Sequence, residues 1–140
     1  PEKTDPLVTD GKAGLVKAFQ DVTAAWDSTG LCLFTSFAWS LENVAPHMDS
    51  ACEGDWDANR LMETGERIWN LERDFNMRAG LTAADDTLPK RMLEEAANTG
   101  PAEGKVSGLA EMLPEYYKER GWRQDGNLSD ETRERLRLPG

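Results

Sequence analysis

Several things are scarce in this chain, and each scarcity narrows the reading. No apolar run approaches the roughly 20 residues needed to cross a bilayer, so no membrane-spanning helix is predicted, and no signal-peptide pattern is visible. Basic residues are outnumbered, 16 against 26 acids, a formal balance of −10. That argues against nucleic acid or an anionic membrane as partner, since both select basic surfaces. Alternating β-branched runs are absent, which removes the usual signature of a half-buried sheet. There are only two cysteines, Cys32 and Cys52, too few for a disulfide scaffold, though spacing leaves a single bridge open. Without a cysteine framework, a reducing, cytoplasmic setting is the better match. The one histidine, His47, lies beside Pro46 in a polar stretch, where a surface or capping role is expected, since acid–base work needs a partner and a cleft.

What remains suits one helical domain. The 140 residues are 39% apolar and include five tryptophans, enough to build a core. The opening "PEKTDPL" starts on Pro1 and reads like the middle of something longer, so an excised piece of a larger polypeptide is expected. Leu15, Val16, Phe19, Val22 and Trp26 recur at three- and four-residue steps and predict a first helix over 11–26, with Asp10 as N-cap and Gly30 turning the chain afterwards. The apolar "LCLFTSFAWS" reads as buried on several sides; its period does not separate helix from extended chain, and its helical neighbours favour helix. "LENVAPHMDSACEG" predicts a short helix interrupted or started at Pro46 and closed at Gly54. Asp57 caps a long helix to about Ala79, stopped by Gly80, with Leu61, Ile68, Trp69, Leu71 and Phe75 as its apolar stripe. Charges in "GERIWNLERDFN" lie beside that stripe, so some are expected to be buried and paired. Residues 81–106 are loop-rich, with one short helix from Pro89 to near Glu95. A helix follows over 109–120, with Pro114 in its opening turns and Gly121 after it, and Ser129 caps a last short helix. Helix after helix predicts an all-α, compact multi-helix fold, one domain over 1–140.

The segment "DSTGLC", residues 27–32, admits two readings. In the first, Gly30 ends a helix, Asp27 faces water and Cys32 is a small buried residue. In the second, the position of Asp27 is informative. A carboxylate at a helix C-terminus opposes the dipole at a cost of about 0.3–1 kcal/mol. A ligand with two adjacent N–H donors, such as a pterin, would offset this with charge-assisted hydrogen bonds of about 1.5–3 kcal/mol each. Cys32 would open the next helix, where the dipole favours a thiolate, the usual ligand of an iron–sulfur cluster. Gly30 makes the turn small enough for one loop to touch both groups.

"DSTGLC" fits the D-x-x-G-L-(C/D) motif, and with it the chain resembles the tungsten-containing aldehyde ferredoxin oxidoreductases. "DPLVTDGKAGLVKAFQD", "GLCLFTSF", "GERIWNLERDFNMRAGLTAADDTLPKR" and "LPEYYKERGW" look like the C-terminal part of those enzymes, in the same order and over nearly the whole chain. The resemblance implies an enzyme that oxidises aldehydes to carboxylic acids and passes electrons to ferredoxin. Its metal, tungsten (or molybdenum), is held by a pair of pterins, with a [4Fe–4S] cluster alongside. By that likeness Asp27 would hydrogen-bond a pterin, Gly30 and Leu31 would adjoin it, and Cys32 would be the fourth cluster ligand. The family takes its other three thiolates from a C-x-x-C-x-x-x-C run in an earlier domain. That run, the N-terminal pterin-binding domain and the second D-x-x-G-L motif are missing from this sequence. Alone, the chain is therefore expected to bind neither group and to catalyse nothing; its partners would be N-terminal domains of the same protein.

Other residues invite chemistry less strongly. Cys52 has no partner pattern. Asp85 and Asp86 read as a cap or as salt-bridge partners of Lys90 or Arg91 rather than a metal pair, which needs further oxygens. Tyr116, Tyr117 and Trp122 form an aromatic cluster suited to core packing. Phe34, Phe37 and Trp39 read as core, or as the lining of a channel for apolar aldehydes. If other domains normally cover them, an exposed apolar patch is expected near residues 27–39. The alternative function is a stand-alone helical protein-interaction module without redox activity. A cysteine-nucleophile enzyme is disfavoured, since His47 is the sole candidate base.

Overall fold

The computed structural model describes residues 4–139; Pro1 and Gly140, and so the two ends of the expected 1–140 unit, lie outside the described residues. Among the described residues there are six α-helices: α1 Lys12–Ser28, α2 Leu41–Ala51, α3 Ala58–Arg78, α4 Lys90–Glu94, α5 Leu109–Arg120 and α6 Asp130–Arg135. No strand forms among them, only two isolated bridges, Ala97 with Glu103 and Trp122 with Leu128. The all-α expectation holds.

The long helix α3 is the floor. Asp57 Oδ1 accepts from the Arg60 N–H at 2.7 Å and satisfies an otherwise orphaned donor. Gly80, at φ +104, turns the chain beyond its end. Helix α1 crosses α3 and also packs on α5, while α2 closes over one end of α3. The crossing is unusually close at Gly65, where a Cβ would lie 1.9 Å from the Asp21 carbonyl oxygen. Trp26, Ala25, Leu41, Val44, Ala45 and Leu61 form the apolar core, with Val22, Met48, Trp56 and Met62 against it.

Three expectations about α1 and its neighbours need correcting. Asp10 does not cap α1; Gly11 does, with φ 69 and no side-chain bond. The stripe on α1 is core only at its C-terminal end, where α2 covers Trp26; Leu15, Val16 and Phe19 run past that cover and are exposed. Residues 33–37 form a 3₁₀ turn, not an α-helix, and none of its side chains is buried. Phe34 is 79% and Phe37 85% exposed, with Leu33 and Trp39 also open to solvent. The expected bare apolar patch is therefore present, and the expectation of burial for this segment fails. Apolar composition reports only that a surface needs cover, not that this chain supplies it.

Pro46 neither starts nor interrupts α2 but sits inside it. The helix opens earlier, on a reciprocal cap between Ser40 and Asn43. In α3, Leu61 is buried but Leu71 and Phe75 are exposed, and buried places go instead to Gly65, Asn70, Arg73 and Asp74. The expectation of buried, paired charge is met. Arg73 forks onto Asp86 with bonds of 2.7 and 2.6 Å, and Asp74 pairs with Arg133 and Arg78.

Candidate functional site

The site is the turn leaving α1. Backbone bonds from Thr29 N–H to the Trp26 carbonyl (3.0 Å) and from Gly30 N–H to the Asp27 carbonyl (3.2 Å) close the helix. The Thr29 hydroxyl donates to the Trp26 carbonyl at 2.7 Å and accepts from the Leu31 N–H at 3.2 Å. Gly30 takes φ +76, a conformation that L side chains avoid, although a Cβ there would meet nothing within 4 Å. Backbone strain, not crowding, is what calls for glycine at this position.

The turn presents Asp27, Gly30, Leu31 and Cys32 together, and all four are exposed. Asp27 lies in the last turn of α1, on the rim of a groove of about 370 Å³ whose walls include Gln20, Thr23, Trp69 and Glu72. Among the described residues no side chain pairs with its carboxylate. Cys32 has extended backbone and leads into the 3₁₀ turn. Its thiol is free and exposed, which overturns the reading of Cys32 as a buried core residue. Its carbonyl is anchored: the Trp26 indole N–H donates to it at 3.3 Å, the Thr35 N–H at 2.9 Å and the Thr35 hydroxyl at 2.6 Å.

Cys52 is likewise a free, exposed thiol, so the bridge that spacing left open does not form. Among the described residues no three His, Cys, Asp or Glu side chains gather where they could hold a metal ion. The donor set therefore fits an iron–sulfur cluster only as one corner, a single soft thiol without competing partners. It fits a pterin as one acceptor, a carboxylate with unfilled lone pairs.

The other candidates resolve into structural roles. His47 is exposed and stacks on Trp39, with ring centroids 5.7 Å apart. Asp85 caps a short 3₁₀ turn through Thr82, as one reading held. Asp86 is a salt-bridge partner, but of Arg73 rather than Lys90 or Arg91. Burial raises the Asp86 pKa; the bonds from Arg73 and Tyr117 outweigh it and leave the carboxyl below its usual range. Burial, helped by Asp86, pushes the Tyr117 hydroxyl up to about 12. Tyr116 and Tyr117 both meet Trp122 at 5.6 Å between ring centroids, the aromatic cluster expected.

One constellation escapes sequence reasoning altogether. Arg120 is wholly buried and bonds Asp21, itself 1% exposed, at 2.5 Å. The same guanidinium donates to Gln20 Oε1 (2.6 Å) and the Tyr116 hydroxyl (3.0 Å). The Trp69 indole donates to the Gln20 carbonyl at 2.8 Å, and Lys17 bridges Asp21 and Glu66. These bonds lock α1 onto α3 and α5 and so fix the direction in which α1 delivers Asp27. No local pattern announces them, because Asp21 and Arg120 are 99 residues apart.

Fold and turn together define a class: an all-α unit whose exposed turn carries a free thiol and, among the described residues, an unpaired carboxylate. The chain belongs to the aldehyde ferredoxin oxidoreductase family, whose profile for "domains 2 & 3" matches residues 1–138. It is 48% identical over 138 residues to a tungsten-containing aldehyde ferredoxin oxidoreductase of Pyrococcus furiosus, covering 97% of this chain and 23% of the relative. The enzyme of the same description from Thermococcus kodakarensis is 46% identical, again over 97% of this chain and 23% of the relative. This chain thus spans about a quarter of the length of these relatives. A solved structure, the active site complex BamBC of benzoyl coenzyme A reductase with 1,5-dienoyl-CoA, superposes with a TM-score of 0.74 at 21% identity. The match covers 98% of this chain and 20% of that one, a likeness of fold.

Proposed function

We propose that residues 1–140 act as one helical unit of a tungsten-pterin oxidoreductase that oxidises aldehydes to carboxylic acids, with ferredoxin as electron acceptor. The observation that carries this reading is the turn itself: a free carboxylate in the last turn of α1 and a free thiol five residues on, both exposed, with the Cys32 carbonyl held by the buried Trp26. Asp27 accepts N–H donors of a pterin. Cys32 supplies one thiolate to a [4Fe–4S] cluster whose other three ligands come from N-terminal domains of the same polypeptide. When bound, the tungsten–pterin group would supply two-electron oxidation chemistry and the cluster one-electron transfer.

This chain's residues position and shield. Gly30, at φ +76, lets the chain turn within a few residues between the acceptor and the thiol. The apolar ledge of Leu33, Phe34, Phe37 and Trp39 excludes water next to the cluster ligand once the N-terminal domains cover it. Part of that ledge faces a cavity of about 430 Å³, walled also by Phe19, Trp26 and Met62, which suits the apolar portion of a substrate on its way in. Two unpaired, exposed thiols suit a reducing, cytoplasmic compartment. By itself the unit lacks the ligands to retain either group and is inactive.

The reading is tested by quantifying pterin and iron in the assembled enzyme carrying Asp27→Ala. Pterin should fall while cluster iron stays. Undiminished pterin would remove Asp27 from this role. The exposed ledge favours no second reading, since the interaction module requires nothing of Asp27 or Cys32.

A further inference from the structure

We propose that Trp26 and Thr35 are positioning residues that aim the Cys32 thiolate at its iron by fixing the Cys32 carbonyl; this rests on Cys32 being a cluster ligand, as read above. Residues 30–40 are all exposed, and none of the side chains in the 33–37 turn is buried, so packing holds the stretch bearing Cys32 only weakly. Among the described residues, Trp26 is the one buried side chain that hydrogen-bonds into 31–39. Its ring is 2% exposed, wedged among Ala25, Leu41, Val44 and Leu61, and its indole N–H emerges at the Cys32 carbonyl, 3.3 Å away. On the solvent side the Thr35 hydroxyl reaches the same oxygen at 2.6 Å, beside the Thr35 N–H at 2.9 Å.

Three donors thus converge on one acceptor that has two lone pairs. The carbonyl cannot rotate without breaking bonds on both sides; with Cys32 at φ −62 and ψ 131, that held carbonyl sets the direction of the Cα–Cβ bond and leaves the thiol only its χ1 rotation. A rigid core is in this way transmitted through a single indole to a thiol on an otherwise open loop. Groups that orient a metal ligand from behind change metal affinity by about 10–100-fold when removed. Trp26 and Thr35 hold that place relative to Cys32, although neither touches the metal.

The test uses the assembled enzyme and follows iron release to a ferrous chelator, together with the electron paramagnetic resonance spectrum of the reduced cluster. Trp26→Phe keeps an aromatic ring in the core and deletes the donor. Thr35→Val deletes the hydroxyl at an exposed position and leaves the core untouched, so it decides the matter if Trp26→Phe folds poorly. Each should release iron about 10-fold faster and broaden the spectrum. Thr35→Ser, which restores the hydroxyl, should release iron at the parental rate. Parental release rates in Thr35→Val, or a Thr35→Ser enzyme as leaky as Thr35→Val, overturn the proposal. Cys32→Ala run in parallel separates the two levels. If Cys32→Ala loses iron while Thr35→Val behaves like the parent, only the positioning role falls; if Cys32→Ala keeps a complete cluster, both fall.

Discussion

Gly65 of α3 lies directly under the backbone of Asp21 in α1, so close that a Cβ would sit 1.9 Å from the Asp21 carbonyl oxygen. Backbone cannot step aside as a side chain end can, so the two helices must separate to admit even a methyl group. Gly65→Ala should destabilise the chain by about 3 kcal/mol, the upper end of ordinary overpacking costs. Thermal unfolding checks this, with a fall in Tm of roughly 10 °C. A helix-propensity effect alone has the opposite sign, since alanine favours helix over glycine.

The buried pair Arg120–Asp21 should be far costlier to break than to replace. Arg120→Met leaves Asp21 buried with only Lys17 near it and should cost about 3–5 kcal/mol. Asp21→Leu combined with Arg120→Met should recover much of that loss, because neither charge is then stranded. Urea unfolding of the two single variants and the double variant gives the coupling directly.

These two features mark where sequence reasoning stops. Helices α3, α5 and α6 are readable because their signals are local: Asp57 and Ser129 bond their own first turns, and Gly80 and Gly121 take positive φ after the last. Gly65 inside α3 looks like a weak point in a helix, and only the approach of Asp21 explains it. The segment around Phe34 and Phe37 is apolar enough to be core, yet among the described residues nothing covers it. At the turn over 27–32 the sequence names a carboxylate and a thiol, which are exposed, but not their support: the indole that anchors Cys32 belongs to Trp26, which in sequence is simply one more member of an apolar stripe.

Acid should unfold the chain through three carboxylates. The Arg133 hydrogen bond lowers the pKa of Asp74 from 3.8; for Asp86 and Glu66 burial raises it, but Arg73 with Tyr117, and Arg135 with Lys17, lower it further. A carboxyl depressed in the folded state contributes stability above its unfolded value and loses it as pH falls through the folded one. Tm should therefore be nearly level from pH 7 to about 5 and fall progressively below about 4. Asp86→Asn should lower Tm at pH 7 and reduce the difference between pH 7 and pH 3. At the other extreme Tyr117, pushed up to about 12, favours the folded state up to its unfolded value near 10.0 and loses that contribution as pH climbs between the two.

Gly30 should tolerate substitution according to backbone conformation rather than size. With φ +76 and open space around it, Gly30→Ala should cost about 1–2 kcal/mol, and Gly30→Asn clearly less, because asparagine enters the left-handed region more readily. Chemical denaturation ranks the three. Equal stability for Ala and Asn would show that the turn is not held left-handed in solution.

The account turns on Cys32 carrying an iron of a cluster that the rest of the enzyme completes. Electron paramagnetic resonance of the assembled, reduced enzyme with Cys32→Ala tests it most directly. The expected result is loss of the four-iron signal, with a three-iron species or no cluster in its place. An unaltered four-iron spectrum with full iron content would contradict it.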